Sequence, residues 1–472
     1  MAPKSHLRLL GTLILRSIHA IEARMEAESI EFPSLADPFD PKAKPEAVLL
    51  EADILAAIAH IVAAASQLIA TVRSPVQTVM EYSLLFHLPS CIRAAVESNM
   101  VEIIREAGPQ GIHANDIALR NDTDPTKAAR VLRLLANHHI FTELEPDVFC
   151  SNRLSSILDS GKSVVELQND PRRRHVNTSG ISALVLMHAD EAFKGSAYLT
   201  EAFTHPATAH SVNPTDSPWN IAAKSDTFLF DWYDLPENED LKTRFSFAMA
   251  CSAKLEPPDA ILRGFRWADL PTDSVIVDVG GGVGSTALAI AQAVHHVNLV
   301  VEDRASVIED AKLYCSNLAP GLLLNGRVKL EVHDFFALQP HKNPAVFLLR
   351  WILHDWADTS AVRILKGLRD AAGPETKLIT VDIIMPYTCR DASVTDLLPG
   401  AARPAAPEPL LANMGAASNM KYWLDLQMFV LGNCQERTLG HFVQLVAQGG
   451  WRVVEVYHIP GSSLVQCISV PL

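Results

Sequence analysis

The chain has no paired cysteines. Its seven, Cys91, Cys150, Cys251, Cys315, Cys389, Cys434 and Cys467, are odd in number, scattered, and nowhere spaced C-x-x-C. That pattern excludes a disulfide framework or a cysteine zinc cluster and predicts reduced thiols in a cytoplasmic protein. The chain is also short of basic charge, with 40 Lys and Arg against 54 Asp and Glu, a formal net charge of -14. Such a surface repels polyanions, so no nucleic acid is expected as a partner. Cleavable leaders and membrane anchors are not expected either. Leu7 to Leu15 is apolar but interrupted by Arg8, and no small-residue cleavage site follows. Ile54 to Val72 carries no formal charge and is long enough for a bilayer. It is rich in alanine, with His60, Gln67 and Thr71 recurring on one side at helical spacing, so it reads as an amphipathic helix of a soluble protein.

What is present is a globular composition, 48% apolar and 20% charged, over 472 residues. That length predicts more than one core. Four regions are expected. Residues 1–74 form a helical extension with a proline-rich linker (Pro33, Pro38, Pro41, Pro45). Residues 75–160 read as helices followed by a small hairpin over Ile140 to Phe149, a winged-helix pattern. Leu88 to Arg105 has helical period, and Asn115-Asp116 and Asp124-Pro125 are helix starts. The module lacks a basic recognition helix beyond Lys127, Arg130 and Arg133, so a structural role is expected rather than DNA binding. Residues 161–270 are mostly helical and aromatic. Phe228, Trp232, Phe245 and Met249 fall there, and such a set either packs a core or lines a pocket for a flat ligand. Residues 271–472 alternate β-runs and helices, as in a doubly wound parallel sheet of the Rossmann type. The expected strands are Val275–Val279, Leu299–Glu302, Val328–Val332, Val346–Leu349, Leu378–Ile383 and Arg452–His458. A proline- and alanine-rich stretch, 387–419, is expected as a flexible surface insertion.

The first of these strands runs into Asp278-Val-Gly280-Gly-Gly282-Val-Gly284, and a helix follows. Strand, glycine turn and helix make a nucleotide-binding crevice, because glycines let backbone approach a ligand closely. Asp303, about twenty residues on, ends the second strand where an acid would hold ribose hydroxyls. The glycines are spaced G-x-G-x-G, whereas dinucleotide loops are spaced G-x-G-x-x-G to seat a pyrophosphate. Asp278, before the first glycine, suits a cationic amino-acid group better than a pyrophosphate. The loop favours S-adenosylmethionine, with a dinucleotide as the alternative.

After the fourth strand comes Arg350-Trp351-Ile-Leu-His354-Asp355-Trp356-Ala-Asp358. Ligands bind at this edge of an α/β sheet, so a histidine between two tryptophans and beside acids is a candidate base. Trp351 and Asp355 are candidates to touch the substrate.

At this point the sequence resembles the plant and fungal small-molecule O-methyltransferases, the group of the caffeic acid and flavonoid enzymes. D-V-G-G-G-V-G, the E-D ending the second strand, R-W-I-L-H-D-W-A-D, W-L-D-L-Q-M and Q-E-R-T carry the resemblance. It covers roughly Leu85 to the C-terminus. It implies a winged-helix dimerisation domain ahead of the methyltransferase domain, and a homodimer. It implies S-adenosylmethionine as cofactor, S-adenosylhomocysteine as its product, and a hydroxylated aromatic acceptor, phenolic or indolic. His354 matches the family's base, and Glu436 the acid that orients it. Asp382 stands where many members have glutamate, one methylene longer. Asp303 matches the ribose acid, Asp334 and Phe335 the pair beside the adenine, and Arg350 replaces a usual lysine. Phe245 and Met249 match residues that clasp the acceptor ring. The long N-terminus, the 387–419 stretch and Ser252-Ala253, where several plant members have histidine and serine, have no counterpart in the pattern.

The residue types suit the chemistry. A phenol with a pKa of about 10 is a poor nucleophile at neutral pH, and a histidine near 6.5 can accept its proton as it attacks. No carboxylate cluster suggests magnesium, so no metal is expected. Three rivals are an NAD(P)-dependent oxidoreductase, a non-catalytic interaction protein on the same scaffold, and a transcription regulator. The first is disfavoured because no Tyr-x-x-x-Lys pair is present. The second is disfavoured by the intact His354, Glu436 and Asp303, and the third by charge.

Overall fold

A computed structural model describes residues 5–257, 259–391 and 398–472. The chain divides into two compact units, one of 1–202 with 218–255 and one of 203–217 with 256–472.

The first unit is helical. Its helices His6–Ala27 and Ala52–Val72 pair through Ile21, Met25, Ile54 and Ala57, all buried. Ala52–Val72 is, among the described residues, the one helix long and apolar enough to cross a membrane. Its C-terminal half leaves Val62, Ile69 and Val72 exposed. The helix expected over Leu88–Arg105 is two helices, His87–Glu97 and Met100–Ala107. The chain turns between them at Asn99, whose φ of 61° a short polar side chain tolerates. Helices Ala114–Asn121 and Pro125–Asn137 follow, the second capped by Asp124, which accepts from the Lys127 N–H at 2.9 Å. The expected hairpin pairs Thr142–Glu145 with Val148–Cys150, and Ile112–His113 adds a third strand. Phe141, Phe149, Leu132 and Ile117 fill the core beneath.

The second unit holds the sheet. Its main strands are β1 Val275–Val279, β2 Asn298–Asp303, β3 Val328–Val332, β4 Val346–Arg350, β5 Lys377–Met385, β6 Trp451–His458 and β7 Leu464–Pro471. They lie in the order β6-β7-β5-β4-β1-β2-β3, and a short strand, Arg437–Thr438, pairs with the end of β5. β1 to β5 are parallel, but β7 inserts antiparallel between β5 and β6. The sheet is therefore mixed rather than wholly parallel. The sequence reading missed β7 because Leu464–Pro471 follows β6 after only a short turn, with no helix between to mark a crossover. β1, β4 and β5 are buried on both faces, as strands covered on both sides are. Phe347 and Trp451 are fully buried, each contributing roughly 1.5–3 kcal/mol by burial. The Trp451 indole N–H is satisfied by the Leu365 carbonyl at 3.0 Å.

The stretch expected as a flexible insertion is tied down over its described part; residues 392–397 lie outside the described residues. Ala401 is buried, the Pro399 carbonyl accepts from the Val456 N–H at 2.9 Å, and Asn413 donates to the Tyr422 hydroxyl at 2.7 Å. The Tyr422 hydroxyl in turn donates to the Pro386 carbonyl at 2.6 Å. Small and apolar residues let this chain pack against β6 where a polar surface loop would not.

Candidate active site

The predicted residues of the second unit lie on or just after β1 to β5, except Glu436, which lies between helix Asn419–Gly432 and the short strand Arg437–Thr438. At β1 the chain turns through Gly280 with φ +68°, where a Cβ would stand 2.4 Å from Ile352 Cδ1. No side chain can be accommodated there without displacing Ile352. The Gly280 and Gly281 N–H groups donate to the Glu302 carbonyl at 2.8 and 3.1 Å, which fastens the loop to β2. Gly282, φ +58°, has open space where its Cβ would be, and its N–H donates to Asp303 Oδ2 at 2.8 Å. Gly284 ends the turn, also with positive φ, and Ser285–Ala293 follows as a helix.

Asp278 is buried, and its Oδ2 has no hydrogen-bond partner among the described residues. Burial pushes its pKa up to about 7, with Arg350 opposing. Arg350 donates to Thr286 Oγ1 at 3.1 Å. Asp303 accepts from the Gly282 and Arg304 N–H groups, and burial raises its pKa. Asp334 is exposed, and its Oδ1 accepts from the Phe336 N–H at 2.9 Å. Phe335 lies against the Gly280 turn and packs edge-on to Trp356, ring centres 5.9 Å apart.

His354 is buried at the end of β4. Its Nδ1 stands 2.8 Å from Glu436 Oε1, and its Nε2 3.5 Å from Asp355 Oδ1. Trp351, in a left-handed backbone conformation, packs edge-on at 5.0 Å between ring centres. Burial by itself would lower the imidazole pKa. The carboxylates of Asp355, Glu436 and Asp382 outweigh it and raise the value to about 10. Asp355 is raised by burial, and Asp382 is pushed up to about 7 by the same cause. Neither Asp382 oxygen has a hydrogen-bond partner among the described residues, so it acts on His354 through its field rather than by contact.

The chemistry-bearing pairs are held by residues the sequence reading did not single out. Arg437 donates to the Leu353 and Trp356 carbonyls at 2.7 and 2.6 Å and to Asp358 at 2.9 Å, clamping the turn that carries His354. The Glu436 N–H donates to Asp425 Oδ1 at 2.8 Å, and the Gln435 N–H to the His354 carbonyl at 3.2 Å. The signal was present, because Arg437 belongs to Q-E-R-T and Asp425 to W-L-D-L-Q-M. Lys421, its pKa lowered by burial to about 8, lies in the field of Glu436. A cleft of about 1050 Å³, lined by Ser274, Ala345 and Lys377, lies at the opposite, N-terminal edge of the sheet.

Phe228, Trp232, Phe245 and Met249 all belong to the first unit. Phe245 stacks on Tyr233 at 4.8 Å, Trp232 meets Trp219 edge-on at 5.1 Å, and Phe228 meets Phe230 likewise. Tyr233 donates to Glu191, which with Asp190 also holds the buried Arg244. Phe228, Trp232 and Phe245 are half-buried, Phe245 packing against the core around Ala183, Met187 and Ala248, and Met249 is 39% exposed.

Comparison with known proteins follows the same lines. Residues 223–402 match the family model of an O-methyltransferase domain, and residues 80–159 that of an O-methyltransferase dimerisation domain. An O-methyltransferase of Armillaria gallica is 44% identical over 96% of each chain. A 4-O-methyltransferase of Phanerochaete chrysosporium is 40% identical, again over 96% of each. Both matches run through the N-terminal extension that the plant-type pattern leaves unmatched. Among solved structures, mitomycin 7-O-methyltransferase superposes with a TM-score of 0.61 at 21% identity, covering 84% of this chain and 97% of that one. LepI in complex with SAM gives 0.63 at 17% identity, covering 88% and 94%. These two likenesses show the fold.

Proposed function

This chain belongs to the S-adenosylmethionine-dependent O-methyltransferases, and we propose that it methylates a hydroxyl of a small aromatic metabolite, phenolic or indolic, with His354 as general base and without a metal. The observation that carries the reading is the 2.8 Å contact of His354 Nδ1 with Glu436.

The cofactor fits the residues present. Asp278 offers a buried, unpartnered carboxylate oxygen for a cationic amino-acid group, and Gly282 leaves room for close approach. Asp303 would hold ribose hydroxyls, Asp334 and Phe335 would flank the base, and Arg350 would sit near the loop. S-adenosylmethionine supplies, when bound, an electrophilic methyl group on a positively charged sulfur.

The protein's own part is proton removal and alignment. With Glu436 accepting from Nδ1–H, the deprotonated imidazole carries its lone pair on Nε2, which takes the acceptor's proton. The same carboxylate stabilises the imidazolium formed. The raised His354 pKa makes it a stronger base than free imidazole. Asp355, 3.5 Å from Nε2, and Trp351, packed on the imidazole, would be the acceptor contacts. For Phe228, Trp232, Phe245 and Met249, acceptor contact rests on the family resemblance. We further propose a cytoplasmic homodimer, supported by the dimerisation-domain match.

The test is transfer of labelled methyl from S-adenosylmethionine to a panel of phenols, catechols and hydroxyindoles, with and without chelator. Chelator-resistant label on an acceptor oxygen is expected. Cofactor binding without transfer to any of them would reject the acceptor class.

A further inference from the structure

Glu302 and Glu331 are register partners on the parallel strands β2 and β3, so their side chains leave the same face of the sheet. His341, on the chain leading from β3 to β4, reaches that face. Its Nε2 lies 2.9 Å from Glu331 Oε2 and 3.7 Å from Glu302 Oε1, and one donor atom of each residue falls within 4.8 Å of the other two. Two donors bound to one ion at about 2.0–2.2 Å stand at such separations.

A histidine hydrogen-bonded to one glutamate would be an ordinary surface pair. Glu302 is what that reading leaves unexplained. Its side chain is 1% exposed and Oε1 has no hydrogen-bond partner among the described residues, although it faces His341. Its other oxygen, Oε2, accepts from the Gln339 amide at 2.8 Å, which fixes the carboxylate with Oε1 turned toward the cluster. Nearby, His333 Nε2 is likewise buried and unpartnered, and close enough to act on the Glu302 charge. A buried carboxylate oxygen is not left bare without cost, and a cation removes that cost. Glu331 and His341 keep partial exposure, which gives an ion a way in.

We propose that Glu302, Glu331 and His341 form a binding site for one divalent late first-row cation, Zn²⁺ by preference, with water completing the coordination. Two carboxylates neutralise the ion, and the imidazole nitrogen favours zinc over magnesium or calcium, which take oxygen donors. The site is built for structure. Glu302 and Asp303 are successive residues of a strand and face opposite sides of the sheet, so the ion stands away from the ribose acid. The backbone carbonyl of Glu302 holds the Gly280 and Gly281 N–H groups. An ion on its side chain braces the strand end on which the glycine loop rests, and pins the chain after β3. The linear sequence hides the cluster, because Glu302, Glu331 and His341 are far apart and form no recognisable motif.

The test is equilibrium dialysis of the metal-stripped full chain against Zn²⁺ alone, with Co²⁺ absorption as a second readout. One Zn²⁺ per chain is expected, bound at micromolar concentration or below, with visible bands of a four-coordinate ion when Co²⁺ replaces it. Glu331→Gln and His341→Asn should each weaken binding tenfold or more. His441→Asn, which breaks another histidine–carboxylate pair (2.7 Å to Asp358), should leave it unchanged. No stoichiometric binding to the wild-type chain, or equal loss in the His441 variant, overturns the proposal. The cobalt spectrum of the wild type decides the matter should a variant fail to fold, since a six-coordinate or absent signal contradicts the site.

Discussion

Nδ1 of His354 stands 2.8 Å from Oε1 of Glu436, across 82 residues of chain. The two arrive from different structures, one from the turn after β4 and the other from the chain between helix Asn419–Gly432 and the short strand Arg437–Thr438. Arg437 binds the two together by clamping the carbonyls on either side of His354. The contact fixes the tautomer, and with it which nitrogen faces the reaction.

Glu436→Gln keeps the shape and removes the charge. The amide no longer stabilises an imidazolium, so kcat/KM should fall by about 10²–10⁴, in the range for losing the partner of a catalytic histidine. The fall should lie in kcat, with the cofactor Kd unchanged, and steady-state kinetics with both substrates varied would show it.

The pH dependence follows from the same charges. A base works only when unprotonated, and a raised pKa means that deprotonation is completed at higher pH. The rising limb of kcat/KM should therefore lie above pH 6.5, the value for an ordinary imidazole. In Glu436→Gln the limb should move down. A limb that stays in place in the variant would show that another group titrates.

Asp278 couples stability to binding. Its folded pKa, about 7, stands above its ordinary value of 3.8 because burial disfavours the charge. The cost is absent below the unfolded pKa and complete above the folded one, and it amounts to a few kcal/mol. Asp278→Asn should thus melt higher than wild type at pH 8 without cofactor, with the gap closing near pH 4. The same variant should bind S-adenosylmethionine at least about tenfold more weakly, for loss of one charged hydrogen bond. Melting curves at the two pH values, with and without cofactor, check both halves.

Asp303→Asn should weaken the cofactor by about 10- to 100-fold while kcat at saturating cofactor stays within a factor of a few. Its carboxylate accepts from Gly282 and stands at the loop rather than beside His354. Equal losses in kcat would place Asp303 in the chemistry.

The glycine turn, five parallel strands and the histidine strip were legible because each is local: a run of β-formers ending in glycine, or a short polar string after a strand. Asn99 breaking a helix and β7 reversing direction were not, since neither leaves a periodic trace longer than a turn. Glu436 was visible only through resemblance, because a separation of 82 positions carries no hint of its 2.8 Å contact. Asp382 shows the converse. Its place on β5 was legible, but its unpartnered oxygens were not.

The central claim is tested most directly by His354→Ala, measured as cofactor Kd and as single-turnover methyl transfer on the same preparation. The account predicts a Kd within about twofold of wild type and a transfer rate lower by about 10²–10⁴. Loss of cofactor binding to the same degree as transfer, or transfer at the wild-type rate, would contradict His354 as the base.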